Sequence, residues 1–237
     1  LLKNVVVNPD DFKQPDTIVS RAKQDNDVTL KTRDRIILAA RNLFNEKTAS
    51  AISTNHIAAE MDISPGNLYY YFKNKEEIIR GIYSQLSELA DKIWYHPELG
   101  KSEEGLIDYF KNLASHMYEF RFFYLELNVI LKNDTELKQE YIERSERILL
   151  QMMVVFADFI DNRIMKNFES ERERKYLLRN IWTVGQMWMT YANIKYDNVT
   201  SGIVNDGVWQ MYTVIEHLLT KKSKRKSENT LLGLFPV

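Results

Sequence analysis

Side chains that donate hydrogen bonds are concentrated in the segment from Ser64 to Lys75. Asn67 carries an amide that can pair with a base edge, adenine being its usual match. Three consecutive tyrosines, Tyr69 to Tyr71, follow on a helix too short to bury all of them. At least one or two of their hydroxyls must therefore point outward, where they suit phosphate oxygens. Lys73 and Lys75 add positive charge, and the segment predicts a small surface that contacts nucleic acid.

Small residues open the same segment. Ser64 can cap a helix, Pro65 suits its first position because no backbone N–H is needed there, and Gly66 lets the backbone approach another surface closely. Each feature also has a plainer explanation: a tyrosine-rich helix usually packs, Ser64 and Thr54 act as N-caps, and two lysines mark a solvated helix start. The nucleic-acid interpretation is favoured because all of these features occur within 22 residues.

The elements around this segment have the dimensions of a helix-turn-helix. A first helix begins at Thr32, and its apolar stripe consists of Ile36, Ile37, Ala40, Leu43 and Phe44. A second helix is predicted at 54–61, and Asp62 tolerates the left-handed conformation of the tight turn before the third. Asn74, with Glu77 three residues later, predicts the start of a long helix that ends near Trp94.

The rest of the chain predicts longer helices at about 105–119, 121–132, 135–164, 170–195 and 205–222. Residues 1–31 show no sustained period and predict an N-terminal arm, whereas 223–237 follow a basic run and predict a C-terminal tail. The candidate domains are therefore 32–78, with the helix-turn-helix, and 79–222, with the long helices.

Composition limits the function classes. The 237 residues contain no cysteine, 8 glycines and 5 prolines, which excludes a disulfide framework and a cysteine nucleophile and favours helices. A net charge of -1 gives no overall attraction to nucleic acid, so a local patch has to bind it. None of the four histidines follows a glutamate by three residues, and no glycine-rich phosphate loop occurs, so neither an enzyme nor a cofactor is predicted.

Membrane and targeting signals are missing from the sequence. The most apolar stretch, 148–160, is shorter than the roughly 20 residues that a bilayer span needs. The first residues lack the basic start and apolar core of a secretory signal. The sequence therefore predicts a cytoplasmic protein without a membrane partner.

Residues 32–85 resemble the DNA-binding domain of the TetR family of bacterial transcriptional regulators. The resemblance, over about a quarter of the chain, is carried by Ile36, Ala39, Ala40, Leu43, Phe44, Thr54, Ile57, Ala58, Ile63, Ser64, Pro65, Gly66, Leu68, Tyr69, Tyr71, Phe72, Lys75 and Glu76. The family commonly has glycine where Thr48 and Asp62 stand, and these departures concern loop shape more than the fold.

The resemblance implies an all-α fold in which an N-terminal three-helix helix-turn-helix domain is joined by a long helix to a larger helical effector-binding and dimerisation domain. It implies a double-stranded DNA operator as partner. The implied DNA contacts are Thr54, Asn55, Ser64, Pro65, Gly66, Asn67, Tyr69, Tyr70, Tyr71, Lys73 and Lys75. Leu68 and Phe72 are expected in the core.

Large aromatic and methionine side chains in the second domain predict a pocket for a small hydrophobic or amphipathic effector. The candidate ligand-binding residues are Tyr109, Phe110, Met117, Phe120, Tyr124, Met152, Phe156, Trp182, Gln186 and Met189. For any single one of them, a place in the hydrophobic core is the plainer interpretation.

By analogy with the family, the last two long helices are expected to form a four-helix bundle with their mates in a homodimer. The candidate dimerisation residues are Gly185, Trp188, Ala192, Met211, Ile215 and Leu218, and the alternative is packing within one chain. A dimer is preferred because two recognition helices can read half-sites about one DNA turn apart (~34–36 Å).

The resulting hypothesis is a ligand-responsive transcriptional repressor that binds a palindromic operator as a homodimer and is released by its effector. Control of an efflux system is one role that the resemblance suggests. The alternative function is a helical carrier of lipids or small molecules, or an interaction module, without DNA binding.

Overall fold

The computed structural model describes residues 31–94, 99–196 and 199–234. These residues form eleven α-helices, two short 3-10 turns (Ser201–Ile203 and Glu216–Leu218) and one isolated bridge. The helices are α1 (Thr32–Lys47), α2 (Thr54–Glu60), α3 (Pro65–Tyr71), α4 (Lys75–Trp94), α5 (Glu103–Glu119), α6 (Arg121–Leu125), α7 (Leu127–Asn133), α8 (Thr135–Asp161), α9 (Glu171–Tyr196), α10 (Val204–Ile215) and α11 (Lys221–Leu234). The all-α prediction is confirmed, and the predicted arm lies outside the described residues except for Lys31.

One hydrophobic core joins α1, α2 and α3 to the first half of α4. Ile36, Ile57 and Leu68 are completely buried in it, because apolar residues at helical spacing share one face of each short helix. Local caps fix the helix starts. The hydroxyl of Ser53, rather than that of Thr54, caps α2 by accepting the N–H of His56.

The long helix α4 connects this core to a second one. Its start is capped as predicted: Asn74 Oδ1 accepts the N–H of Glu77 at 2.9 Å, and the Glu77 carboxylate accepts the N–H of Lys73 at 2.8 Å. Ile78 lies in the first core and Trp94 in the second. One continuous helix therefore joins the helix-turn-helix to the second core.

The second core lies among the long helices. α5 packs against α4, α10 and α11, whereas α9 packs against α6, α8 and α10. The contact between α9 and α10 is close: a Cβ atom added to Gly207 would lie 2.8 Å from the ring of Trp188. Glycine at 207 thus lets the indole lie directly on the backbone of α10.

Three predicted helix boundaries are wrong. The expected helix at 121–132 is two helices, α6 and α7, and the one expected at 135–164 ends at Asp161. The helix expected at 205–222 ends at Ile215, because the chain becomes extended at Leu219 and bridges to Met165. This break is caused by pairing between residues far apart in the chain, and helical periodicity gives no sign of it.

The segment predicted as a tail from 223 is mostly helix α11. Ser223, Ser227 and Leu231 are spaced four residues apart. All three are buried on the side of α11 that faces the other long helices, and these helices together with α11 are called the body below. The Ser223 hydroxyl donates to Glu103 on α5 at 2.7 Å, and Lys226 forms ion pairs with Glu103 and Glu104. The basic run therefore belongs to a packed helix as far as Leu234.

No helix in the described ranges is both long and apolar enough to cross a lipid bilayer.

Candidate nucleic-acid interface and internal cavity

A tight turn sets the orientation of α3 against α2. Asp62 adopts the predicted left-handed conformation with φ 53°, and the N–H of Ile63 donates to the carbonyl of Ala58 at 3.0 Å. Ser64 then caps α3 by accepting the N–H of Asn67 at 3.1 Å, and Pro65 occupies the first helical position. These local interactions fix which residues of α3 face outward.

The side of α3 that the sequence predicted to lie in the core is buried. Leu68 and Phe72 are buried against α1 and α4. On the other side Asn67 is exposed, as is Tyr70, with 83% of its surface accessible. Because no neighbouring element in the described part of the chain covers these side chains, α3 presents an amide and a phenol at one surface of the helix-turn-helix domain (α1–α3), called the head below.

Residues of α2 extend this surface. The hydroxyls of Thr54 and Tyr69 lie 3.2 Å apart, so one donates to the other across the two helices. Asn55 is exposed beside Thr54. Ser64, Pro65 and Gly66 are exposed at the start of α3, where their small size leaves the backbone accessible.

Two predicted contacts are less available than the rest. The ring of Tyr71 is half-buried against the first core and packs edge-on against Tyr70 at 5.1 Å. The ammonium of Lys75 donates to the carbonyl oxygens of Ala49 and Ile52 at 2.7 and 3.1 Å. Both carbonyls belong to the turn between α1 and α2, so Lys75 supports that turn, and its contact with phosphate stays a prediction. Lys73 stays exposed.

We expect Lys75→Met to lower the free energy of unfolding by about 1.5–3 kcal/mol, because it removes two hydrogen bonds from a charged donor. Urea unfolding followed by circular dichroism measures the change. Lys73→Met is the matched control and should shift stability by less than about 0.5 kcal/mol, since its side chain is exposed. Equal stability losses in the two variants would contradict the structural role of Lys75.

Hydrogen bonds that do not involve α4 also join the head to the body. The Asn45 amide donates to the carbonyl of Glu119 at 2.8 Å and accepts the N–H of Phe122 at 3.1 Å. The Glu126 carboxylate, at the junction of α6 and α7, accepts the N–H groups of Ala49 and Ser50 at 2.5 and 3.0 Å. The turn before α2 is therefore held by the body as well as by Lys75.

A cavity lies inside the body, between α4, α5, α6, α8 and α9. The volume open to the centre of a water molecule is about 70 Å³, and the whole space between the lining atoms, including the part open to solvent, is about 720 Å³. It is lined by Tyr83, Leu86, Ala90, Trp94, Tyr109, Phe110, Leu113, His116, Met117, Phe123, Tyr124, Tyr141, Arg144, Ser145, Ile148, Met152, Ile181, Trp182, Gly185, Gln186 and Met211. Most of these side chains are apolar or aromatic, which is typical of small-molecule sites.

Seven of the ten predicted ligand residues line this cavity: Tyr109, Phe110, Met117, Tyr124, Met152, Trp182 and Gln186. Three do not. Phe120 lies in the first core beside His116, Phe156 packs against Phe168, and Met189 is fully buried away from the cavity. Sequence patterns identified these residues as large and apolar but could not tell which of them would face the cavity.

Several lining residues escaped sequence analysis, notably Tyr83, Tyr141 and Arg144. The Tyr141 hydroxyl donates to Gln186 Oε1 at 3.0 Å and so connects α8 to α9. Arg144 forms an ion pair with Asp91 at 2.8 Å and donates to the carbonyl of Ser87 at 2.9 Å. The available signal was Arg144 itself, a charged residue at core spacing with Leu137, Ile148 and Met152 along α8.

The predicted dimerisation residues lie inside the protomer. Trp188, Ala192, Met211, Ile215 and Leu218 are buried in the contact between α9, α10 and the rest of the body, and Gly185 lines the cavity. A different stripe of α9 is exposed and apolar, namely Met187, Tyr191 and Ile194, the last with 75% of its surface accessible. Gly185, Trp188 and Ala192 therefore belong to the inward side of α9, a helix that is apolar on both sides.

The helix-turn-helix consists of α2 and α3, and its recognition helix α3 is exposed. The long helix α4 joins it to a body that encloses a cavity. This architecture is typical of a DNA-binding regulatory protein. The family follows from two matches. The model described as "Bacterial regulatory proteins, tetR family" matches residues 36–82, and the one described as "TetR: Bacterial transcriptional repressor" matches 84–226. The chain belongs to the TetR family. It is a transcriptional regulator and not an enzyme.

Solved structures agree with this assignment. The fold is similar to that of a TetR-family transcriptional regulator from Marinobacter aquaeolei VT8, with a TM-score of 0.79 and 32% sequence identity over 87% of this chain and 100% of that one. A TetR transcription regulator from Haloarcula marismortui shares the fold, with a TM-score of 0.63. Members of this family bind DNA and act as dimers.

Curated relatives are regulators as well. A probable HTH-type transcriptional regulator of Bacillus subtilis, YttP, is 24% identical over 62% of this chain and 69% of its own length. The Escherichia coli regulator UidR is 42% identical, but the match covers 25% of this chain and 30% of UidR. The Staphylococcus aureus regulator QacR is 26% identical over 48% of this chain and 66% of its own.

Proposed function

We propose that this protein is a ligand-responsive repressor that binds a palindromic operator as a homodimer and is released when an effector enters the cavity. The exposed face of α3 carries the proposal. Asn67 and Tyr70 are uncovered there, while Leu68 and Phe72 hold the helix from behind. This arrangement suits a helix that enters the major groove with an amide toward a base edge and a phenol toward phosphate.

The proposed dimer uses the exposed apolar stripe of α9. Met187, Tyr191 and Ile194 recur at spacings of four and three residues, so they share one side of the helix. An apolar stripe of this kind is costly to leave in water, and a second copy placed on a two-fold axis would cover it with the same residues. Two heads are needed because one recognition helix reads only a half-site.

The proposed coupling between cavity and DNA runs through two connections. Tyr83, Leu86, Ala90 and Trp94 of α4 line the cavity, and the start of the same helix supports α3. In parallel, Tyr124 of α6 lines the cavity, while Glu126 at the end of α6 holds the turn before α2. A coupling free energy of ~1–3 kcal/mol along these routes would change operator affinity about 5- to 150-fold.

The proposal is tested by fluorescence anisotropy with a labelled palindromic fragment from the promoter region of the protein's own gene. We expect tight binding that weakens steeply as salt is raised, because phosphate contacts release counterions. A carrier or interaction module would ignore that fragment, which would overturn the proposal. If an effector tightens DNA binding instead, the protein is still a regulator, but the effector promotes operator binding rather than ending it.

Control of an efflux system stays a prediction, since the names of the relatives YttP and QacR describe regulators and not the genes that they control. Footprinting of the bound promoter fragments, followed by inspection of the adjacent genes, is the measurement that decides it.

A further inference from the structure

Three polar groups in the cavity lack hydrogen-bond partners among the described residues. They are the hydroxyls of Tyr83 and Tyr109 and His116 Nε2, in residues that are 1%, 8% and 5% exposed. Buried polar atoms in folded proteins are nearly always paired. Because all three unpaired atoms belong to residues that line the same cavity, they indicate a ligand that carries hydrogen-bonding atoms rather than a purely apolar one.

The only formal charge among the lining residues that the structure describes is that of Arg144. Its partner Asp91 does not line the cavity, and the pair is oriented: the arginine side chain is 11% exposed and the aspartate 44%. The ion pair therefore places its positive end at the cavity and its negative end toward water. Bonds to Asp91 and Ser87 use three of the five guanidinium N–H groups, so the fork keeps donors for a further acceptor.

The remaining lining groups are neutral at pH 7. Burial, together with the positive charges of Arg144 and Arg41, lowers the pKa of His116 to about 4, so its imidazole is uncharged. Burial raises the pKa of Tyr83 to about 12 and that of Tyr109 well above its ordinary value, so both phenols keep their protons and act as donors. The lining residues that the structure describes thus offer donors and a positive charge, but no carboxylate for a cationic ligand.

We propose that the cavity is selective for a molecule with an apolar body and a single carboxylate, with the carboxylate held by Arg144 and Tyr83. The inference rests on the proposed function, in which this cavity is the effector site. The apolar body would contact side chains such as Leu86, Ile148 and Met152. An arginine–carboxylate bond inside an apolar cavity is strong because both partners are charged and little water competes with it.

The proposal is tested with three probes of equal chain length and different head groups: decanoate, 1-decanol and decyltrimethylammonium. Binding to the full-length dimer is followed by intrinsic tryptophan fluorescence, since Trp94 and Trp182 line the cavity, and is repeated by calorimetry. We expect decanoate to bind at least about 10-fold more tightly than decanol, and the cation to bind most weakly. Equal affinities, or tighter binding of the cation, would overturn the proposal.

Two variants locate the carboxylate. Arg144→Gln should abolish the preference for decanoate over decanol, whereas Arg172→Gln, an exposed arginine of α9, should leave it unchanged. Because Arg144 also links α8 to α4, Tyr83→Phe provides a second variant. It should weaken decanoate several-fold, leave decanol unaffected, and keep or raise the unfolding temperature, since it removes a hydroxyl that has no partner among the described residues. A Tyr83→Phe protein that binds decanoate normally would contradict the placement.

Operator binding without ligand is measured on the same preparation. If the protein binds promoter DNA but shows no preference for decanoate, the selectivity proposal fails and the repressor proposal stands. If decanoate is preferred but no promoter DNA is bound, the repressor proposal fails and the cavity chemistry stands.

Discussion

Alanine at both Asn67 and Tyr70 should weaken binding to the palindromic promoter fragment by at least about 100-fold. Each side chain is exposed on α3 and is proposed to contact DNA in both half-sites, and a good base contact is worth about 1–3 kcal/mol. Anisotropy titrations at fixed salt measure the loss. The fold should survive, because neither side chain belongs to the hydrophobic core.

The choice of Tyr70 over Tyr71 comes from the structure. Tyr71 is half-buried, so its truncation would damage the head as well as any DNA contact. Asn112→Ala, an exposed asparagine on α5, is the matched control and should bind DNA as the unmodified protein does. Unchanged DNA affinity in the Asn67→Ala, Tyr70→Ala protein, with an unchanged urea midpoint, would mean that α3 does not read the operator.

Glutamate at Met187 and Ile194 together should convert the dimer to monomers. In the proposed two-fold interface each substitution occurs twice and buries unpaired negative charge, so we expect the dissociation constant to rise by at least about 100-fold. Light scattering coupled to size exclusion should show the mass fall from twice the chain mass of 28.0 kDa to the chain mass itself. Operator affinity should fall in parallel, because a monomer reads one half-site.

Leu232→Glu is the control for this experiment. Leu232 is an exposed leucine on α11, so the substitution adds the same charge at an apolar surface position away from the α9 stripe. It should leave the protein dimeric. A Leu232→Glu monomer, or a Met187→Glu, Ile194→Glu dimer of unchanged affinity, would place the interface elsewhere.

Trp188→Ala tests whether Trp188 belongs to the dimer interface, as expected from the sequence alone, or to the core of the protomer. Trp188 is buried on Gly207, so its removal should lower the free energy of unfolding by about 3–5 kcal/mol through a cavity between α9 and α10. The effect belongs to the fold of the protomer. Urea unfolding at two protein concentrations distinguishes the two cases, since only loss of a dimer contact depends strongly on concentration.

The helix-turn-helix could be predicted from the sequence because its signals are local. Ser64, Pro65 and Asn74 act on neighbours within four residues, and Asp62 sets a turn through its own backbone. Helix starts, the turn and the buried side of α3 follow from such short-range rules. The resemblance to the TetR family added the expected fold of the whole chain, and the family matches confirm that membership.

The body was predicted as helical, but the partners of its side chains were decided by the tertiary structure. α9 is apolar on both sides, so its periodicity could not show that Trp188 faces inward and Ile194 outward. Phe120 and Tyr124 lie four residues apart, yet one packs in the first core and the other lines the cavity. The ammonium of Lys75 is directed inward by carbonyls more than twenty residues earlier in the chain.

The sequence by itself determined the helical class, the helix-turn-helix and its exposed amide and phenols, because these depend on residues close together in the chain. The tertiary structure decided where the cavity lies, that Arg144 gives it a positive end, and which apolar stripe of α9 stays exposed. Those features depend on contacts between residues far apart in the chain, such as Arg144 with Asp91, and no local pattern encodes them.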